Sequence, residues 1–253
     1  MNHGSTEPLD IEMRSTGRRV AFFGGSFDPP HLGHLAVARA ARAALGLDTV
    51  LFAPVGAQPL KPQGSAASFE DRLAMTRLAI AGEPGFAVSQ ADAPKPSGAP
   101  NFTFETLLGL RAKLPSGGAL FCLMGADSFF ALHLWHRAAE IPFVAPLIVA
   151  SRPGQPLDGL KAALPKGLTM ESQPEASSLP NSGVEVRPYA LLNSAADRAP
   201  FYLLPGLNVE ISASEIRAQI RDRVHATPAT TGSEQALLPE AVLDYICSRS
   251  LYR

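Results

Sequence analysis

The densest chemistry in this sequence lies in one run, Gly24-Gly25-Ser26-Phe27-Asp28-Pro29-Pro30-His31-Leu32-Gly33-His34. Two glycines let the backbone approach a ligand closely. Two prolines stiffen the loop and donate no hydrogen bond. His31 and His34 are three apart, so in a helix starting near Leu32 they share one face of its N-terminus. That end favours anions through its free N–H groups and the macrodipole. Imidazoles there can donate to phosphate oxygens when neutral and add charge when protonated. A metal pair would need a third ligand, and only Asp28 is near in sequence. Two packed core histidines are the plainer alternative. The paired glycines and the strand-to-helix setting favour a phosphate site.

A second run, Ile211-Ser212-Ala213-Ser214-Glu215-Ile216-Arg217, has related chemistry. Ser212 or Ser214 can cap a helix and present hydroxyl and N–H groups to phosphate oxygens. Arg217 falls in the expected first turn, where a cation opposes the helix dipole. A bound anion would offset that. An ordinary capped helix with a solvated arginine is the alternative. The sequence holds no GxGxxG, GxxxxGK[S/T] or GxSxG run.

These runs need elements to position them. Val20–Phe23 reads as a buried strand entering the Gly24-Gly25 loop. A helix over Leu35 to Leu45 should end at Gly46. Thr49–Pro54 is a second strand. Ser68 and Asp71 resemble a capping box opening a helix to about Ala81. Phe86–Ser89 is a weak strand, Thr103 to Leu114 a helix and Ala119–Met124 a strongly apolar strand. Phe143–Ala150 reads as a strand weakened by Pro146. Leu207–Ile211 reads as a strand before a helix near Ser214–Arg223. The last helix spans about Pro239–Ser248. Strands alternating with helices imply an α/β fold, a Rossmann-like doubly wound parallel sheet in a single domain with a helical C-terminal part. Ligands then bind outside the carboxyl ends of the strands, where both runs fall. Residues 1–18 read as a flexible extension without the apolar core of a signal peptide. Residues 156–204, with pieces such as QPEASSLPNS, read as a long surface insertion in part without stable structure.

Composition narrows the classes. Hydrophobic residues make up 46% and charged residues 18%, which fits a globular protein. Lys plus Arg number 22 against 23 Asp plus Glu, so the net charge is −1. General nucleic-acid coating and polybasic membrane attachment are thereby disfavoured. No apolar run is long enough to span a bilayer. Cys122 and Cys247 are far apart and form no CxxC, which argues against a disulfide framework or a zinc site. A reducing cytoplasm is the expected setting.

Strand–GGSFDPPHLGH–helix resembles the nucleotidyltransferase superfamily with its His-x-Gly-His loop, and residues 211–217 resemble its Ile-Ser-Ser-Thr-x-Ile-Arg box. Asn101-Phe102-Thr103-Phe104-Glu105-Thr106-Leu107 is similar to the Ser-Tyr-Thr-x-x-Thr-Leu element of bacterial nicotinate-mononucleotide adenylyltransferases. So are Gly125-Ala126-Asp127-Ser128 with Leu134-Trp135, the Arg152-Pro153-Gly154 turn and the segments around Pro239 and Tyr252. The resemblance covers roughly residues 19–155 and 205–253. It implies adenylyl transfer from ATP to nicotinate mononucleotide, giving deamido-NAD and pyrophosphate. It also implies His31, His34 and Arg217 as catalytic, and Gly24, Gly25, Ser26, Phe27, Ser212 and Ser214 on ATP. Thr103, Asp127, Trp135 and Lys61 would face the mononucleotide or its phosphate. Helix capping for Asp127, core packing for Trp135 and a solvated loop for Lys61 are their plainer alternatives. Mg²⁺ would arrive bound mainly through the ATP phosphates, with no dedicated metal ligands. ATP and nicotinate mononucleotide are the implied partners, with no nucleic acid and no membrane; an oligomer is compatible with the sequence.

Three positions depart from the pattern. Leu60 stands where the family has a histidine, Phe102 replaces a tyrosine and Ala213 replaces a serine. A pantetheine-phosphate adenylyltransferase-like enzyme would share both core runs but lack the Thr103 and Asp127-to-Trp135 elements. A non-catalytic nucleotide sensor could dispense with the histidines or Arg217, and all three are present.

Overall fold

The computed structural model describes residues 18–61, 63–151, 157–173, 182–207, 211–225 and 237–253. The expected extension up to residue 17, Pro62, the Arg152-Pro153-Gly154 turn and residues 208–210 lie outside the described residues.

The chain alternates β1 (Arg19–Gly25), α1 (Leu32–Leu45), β2 (Thr49–Pro54), α2 (Phe69–Ala79), β3 (Phe86–Val88), α3 (Thr103–Lys113), β4 (Ala119–Gly125), α4 (Ala126–Phe130), α5 (Ile141–Val144) and β5 (Leu147–Ala150). There follow α6 (Leu157–Ala162), β6 (Thr169–Ser172), β7 (Arg187–Leu192), β8 (Arg198–Leu204), α7 (Ala213–His225) and α8 (Glu240–Ser248). One sheet runs β3-β2-β1-β4-β5-β8-β7-β6. The first six strands pair in parallel. The expected parallel sheet is therefore mixed, because β7 pairs antiparallel with β8 and β6 with β7.

Side chains alternate across this sheet, and both faces are covered. Val20 and Phe22 of β1 join one apolar cluster with Leu107, Leu120, Cys122 and Phe201. Ala21 and Phe23 join another with Leu35, Ala38, Phe52 and Val242. Burial on both faces explains why β2 is buried along its whole length and reads as a continuous apolar run. On α1 the buried positions Leu35, Ala38, Ala41, Ala44 and Leu45 form one stripe, and small alanines let the helix lie close to the sheet. Gly46 ends the helix in the left-handed region at φ 58°, which glycine enters without steric cost. The α2 cap is as read: the Asp71 N–H donates to Ser68 Oγ at 3.0 Å.

Three readings change. Within Phe143–Ala150 only Leu147–Ala150 is a strand. Pro146 breaks the segment, and the residues before it close α5. Of Leu207–Ile211, the described ends Leu207 and Ile211 lie outside any strand; the strand in that part of the sheet is β8. Residues 156–204, expected as a surface excursion, supply α6 and three sheet strands in their described parts. Pro188 and Pro200 mask those strands in the sequence; each tolerates its place on a pair that leaves alternate N–H groups unbonded. Among the described residues, no helix is long and apolar enough to cross a membrane.

Candidate active site

The strand order reverses between β1 and β4, which sit side by side while their helices go to opposite faces. A crevice opens at such a switch, outside the carboxyl ends of the strands. Here it is a cavity of about 1030 Å³. That is ample for a dinucleotide-sized ligand. Every site residue expected from the sequence lines it: Gly24, Gly25, Ser26, Phe27, His31, His34, Lys61, Thr103, Asp127, Trp135, Ser212, Ser214 and Arg217.

At one end, β1 delivers Gly24 and Gly25 to the cavity floor. A Cβ on Gly24 would meet the ring of Phe22 at 2.7 Å, so only glycine fits above that buried ring. Phe27 takes a left-handed φ of 48°, a conformation that costs a phenylalanine on the order of 1 kcal/mol or more. Its ring is buried against Phe23, Phe52 and His34, so the side chain supports the site from behind. His31 is the N-cap residue of α1. The two imidazoles stack with centroids 3.7 Å apart.

The histidines are electrostatically distinct from free imidazole. The His31 N–H donates to His34 Nδ1 at 3.2 Å. That nitrogen is therefore unprotonated, and the neutral ring carries its proton on Nε2. Burial lowers the His31 pKa to about 4. His34 is held well below the usual imidazole range, first by burial and then by its neighbour His31. His31 Nδ1 is buried with no hydrogen-bond partner, the kind of unpaired group that a ligand or water can satisfy. Two neutral rings thus face the cavity at a helix N-terminus, ready to donate to phosphate oxygens.

Two cations rest on the loop. Lys61 Nζ donates to Ser26 Oγ at 3.2 Å. Arg217 Nη1 donates to the Asp28 carbonyl at 2.6 Å and Nη2 to Ser214 Oγ at 3.2 Å. Because α7 begins at Ala213, one residue earlier than read, Arg217 is its fifth residue and lies past the first turn. The Asp28 carbonyl, more than the helix dipole, fixes its direction. Ser212 directly precedes α7, and its carbonyl accepts from Ile216 N–H at 3.0 Å.

Asp28 is the support that sequence reasoning missed. Considered there only as a metal ligand, it is 4% exposed and its oxygens already accept three hydrogen bonds. Ala67 N–H and Tyr252 Oη donate to Oδ1 at 3.1 and 2.7 Å, and Ala66 N–H donates to Oδ2 at 2.6 Å. Arg72 is the second. It is 2% exposed and gives its guanidinium to the carbonyls of Ser26, Val55 and Ala67. Burial lowers its pKa, and the nearby Asp28 charge opposes that. In the sequence Arg72 sits in FEDRLAMTRLA and looks like any solvated helix residue. Only the distant Asp28 gives it away. Among the described residues no cluster of three or more His, Cys, Asp or Glu could hold a metal ion.

At the other end, Thr103 opens α3. Its N-cap, Phe102, has no side-chain acceptor for the first N–H groups, which leaves them available to an anion. Asp127 lies in the first turn of α4, where the dipole favours an acid. Trp135 is half-buried against the core and lines the cavity, so packing and site roles coincide. Asn101 ties the walls together: its Oδ1 accepts from Ala57 N–H and its Nδ2 donates to the Ala93 carbonyl. Asp92 is buried behind Gly24 and hydrogen-bonded by the Thr106 hydroxyl; burial raises its pKa, against that bond. Leu60, at the histidine position of the resembled pattern, is exposed on the cavity rim.

The sequence profile described as cytidylyltransferase-like matches residues 22–219. The chain is 37% identical over 236 residues to a "probable nicotinate-nucleotide adenylyltransferase" of Gloeobacter violaceus, covering 93% of this chain and 97% of that one. The chain belongs to the cytidylyltransferase-like family, among its nicotinate-nucleotide adenylyltransferases. A relative of the same name from Trichlorobacter lovleyi is 35% identical and is covered over 99% of its length. Among solved structures, the Plasmodium falciparum nicotinic acid mononucleotide adenylyltransferase complexed with NaAD aligns with a TM-score of 0.63. It is 14% identical, with 93% of this chain and 97% of that chain covered, and so shares the fold. This family member thus keeps the α/β architecture with the two-ended cavity at its β1/β4 switch.

Proposed function

We propose that this chain is the adenylyltransferase that joins ATP to nicotinate mononucleotide, releasing pyrophosphate and forming deamido-NAD in NAD biosynthesis. The observation that carries this reading is the two-ended cavity. The histidines of β1–α1, Ser212, Ser214 and Arg217 at α7, and Thr103 and Trp135 all line this one cavity beside the β4 carboxyl end. Full-length relatives of the same name support it.

A phosphate oxygen of the mononucleotide attacks the α-phosphorus of ATP. The bond from that phosphorus to the bridging β-oxygen breaks, and pyrophosphate leaves with the electron pair. The attacking phosphate is already ionised near neutral pH, so no general base and no protein nucleophile is required. Catalysis is then positioning and charge stabilisation. His34 donates from Nε2 to the α-phosphoryl oxygens as charge shifts, and His31 grips a neighbouring phosphate. Gly24, Gly25 and Ser26 let the phosphate chain lie against the backbone. Arg217, Ser212 and Ser214 hold the β- and γ-phosphates, and Lys61 exchanges its Ser26 contact for a phosphate oxygen. Asp127 meets the ribose. Thr103 and the α3 N-terminus receive the nicotinate carboxylate, and Trp135 lies on the ring face, worth about 0.5–1.5 kcal/mol beyond its buried area.

Mg²⁺ fits as a passenger of ATP. The carboxylate at the phosphate end, Asp28, has already committed its oxygens to N–H and O–H donors. When bound, the ion would neutralise charge on the phosphates, ligated by them and by water. Both cysteines are free thiols, Cys122 buried and Cys247 exposed, which supports a reducing, cytoplasmic setting.

The test is pyrophosphate release from ATP, with nicotinate mononucleotide and then phosphopantetheine as acceptor. Release dependent on the mononucleotide supports the reading. Release dependent on phosphopantetheine, or on neither, overturns it.

A further inference from the structure

Asp92 is a buried acid that the phosphate chemistry leaves unused. It is 3% exposed, stands between β3 and α3, and lines the cavity. Its carbonyl accepts from Gly56 N–H at 2.7 Å, and the preceding N–H, that of Val55, donates to the Gly25 carbonyl at 3.0 Å. Asp92 is thereby tied through the β2 exit to the glycine loop. A Cβ on Gly24 would lie 3.8 Å from its Oδ2. From the other side, Thr106 Oγ1, near the start of α3, donates to Asp92 Oδ1. We infer that Asp92 is a positioning residue for the transfer, whose Oδ1, through the Thr106 hydroxyl, sets the direction of α3 relative to the glycine loop and so aligns the mononucleotide with the ATP phosphates. This rests on the proposed adenylyl transfer.

Asn101 already holds the entry to α3. Its N–H donates to the Ala57 carbonyl at 2.9 Å, and its Oδ1 accepts from Ala57 N–H at 3.1 Å. The buried Phe104, Leu107 and Leu110 keep the helix on the sheet through contacts that are not directional. One polar anchor lets a helix swing about it; a second, further along, fixes its heading. Thr106 supplies the second. A helical threonine can instead bond the carbonyl four residues back. Here that carbonyl, on Phe102, is 3.3 Å away, and the Asp92 oxygen is nearer.

The role needs an acceptor oxygen, not a charge. Burial pushes the Asp92 pKa up, against the Thr106 bond and the Lys95 charge. Lys95 itself is engaged by Glu105 at 3.2 Å and by the Pro100 carbonyl at 3.0 Å. A misplacement of about 1 Å between reacting groups can cost about 10²-fold in rate. Each substrate meanwhile keeps its own contacts at its own end. Loss of the link should therefore lower the rate of transfer at nearly constant KM.

The test measures the single-turnover rate of pyrophosphate release and both KM values, at a temperature well below each protein's melting midpoint. Thr106→Val keeps the shape and loses the hydroxyl. Its rate should fall about 10- to 100-fold, with both KM values within about threefold of wild type. Thr106→Ser and Asp92→Asn keep the donor and the acceptor, and should stay within about threefold of the wild-type rate. Asp92→Ala should resemble Thr106→Val, and the double variant should be no more than about twofold slower than the slower single. A near-normal rate in folded Thr106→Val overturns the inference. So does a loss confined to KM, a collapse in Asp92→Asn, or multiplication of the two losses in the double variant. Should Asp92→Ala not fold, Thr106→Val against Thr106→Ser still decides. Wild type that releases no pyrophosphate with the mononucleotide overturns the proposed function and this inference together; wild-type turnover with an unaltered Thr106→Val overturns this inference alone.

Discussion

His31 makes the clearest physical prediction, because its burial is a stability statement. The side chain is 7% exposed, and its pKa is lowered from 6.5 to about 4 by desolvation alone. The unfolded chain takes up a proton at this residue as pH falls through the ordinary imidazole range, and the native protein does not. The stabilisation is complete above about pH 6.5 and is lost on acidification towards pH 4. The full difference corresponds to about 3 kcal/mol, of which about 2 kcal/mol is gone by pH 5. His31→Asn replaces the ring by a group that never titrates. Urea unfolding of both proteins at pH 7 and pH 5 reads the effect, since the titrating groups other than His34, which His31 also influences, are shared. Wild type should lose about 2 kcal/mol more than the variant between the two pH values. Equal losses within about 0.5 kcal/mol, or a larger loss in the variant, would refute the account of a buried neutral imidazole. Saturating ATP should shrink the wild-type loss, because bound phosphates supply the counter-charge that burial withholds.

His34→Ala should fold and lower kcat about 10²–10³-fold, the cost of one preorganised donor to transition-state charge; a near-normal kcat in folded protein would contradict it. Tyr252→Phe removes one of three donors to the buried Asp28 carboxylate and should weaken ATP more than the acceptor, raising the ATP KM several-fold while the mononucleotide KM stays within about twofold. Equal changes in both KM values would show that the hydroxyl serves stability only. Gly24→Ala forces a methyl against the buried Phe22 ring and should lower stability by about 1–3 kcal/mol by thermal or urea melting, whereas an unchanged midpoint would show that the ring can move aside.

The first loop was legible because its signals are local. Glycine pairs, prolines and histidines spaced by three act through the backbone of their own segment, and α1 starts where that spacing requires. Thr103 and Gly46 were legible for the same reason, as helix punctuation. The polar scaffold under the loop was not. Asp28, Arg72 and Tyr252 meet only after folding, and nothing beside any of them in sequence marks it as buried. β7 and β8 were hidden by their prolines, each of which lies just outside the ladder with the strand's second neighbour, since β5 pairs with β8 from Phe201 and β6 with β7 from Tyr189.

The bond from Tyr252 to Asp28 spans 224 positions of the chain. During synthesis the phosphate-binding loop is therefore made early and finished late. A ribosome that stops short of residue 252 releases a chain with most of the sheet in place, whose Asp28 carboxylate lacks its tyrosine donor. Whether translation reached this turn is thus recorded at the nucleotide-binding loop, so a truncated product would be marked first by weakened ATP binding.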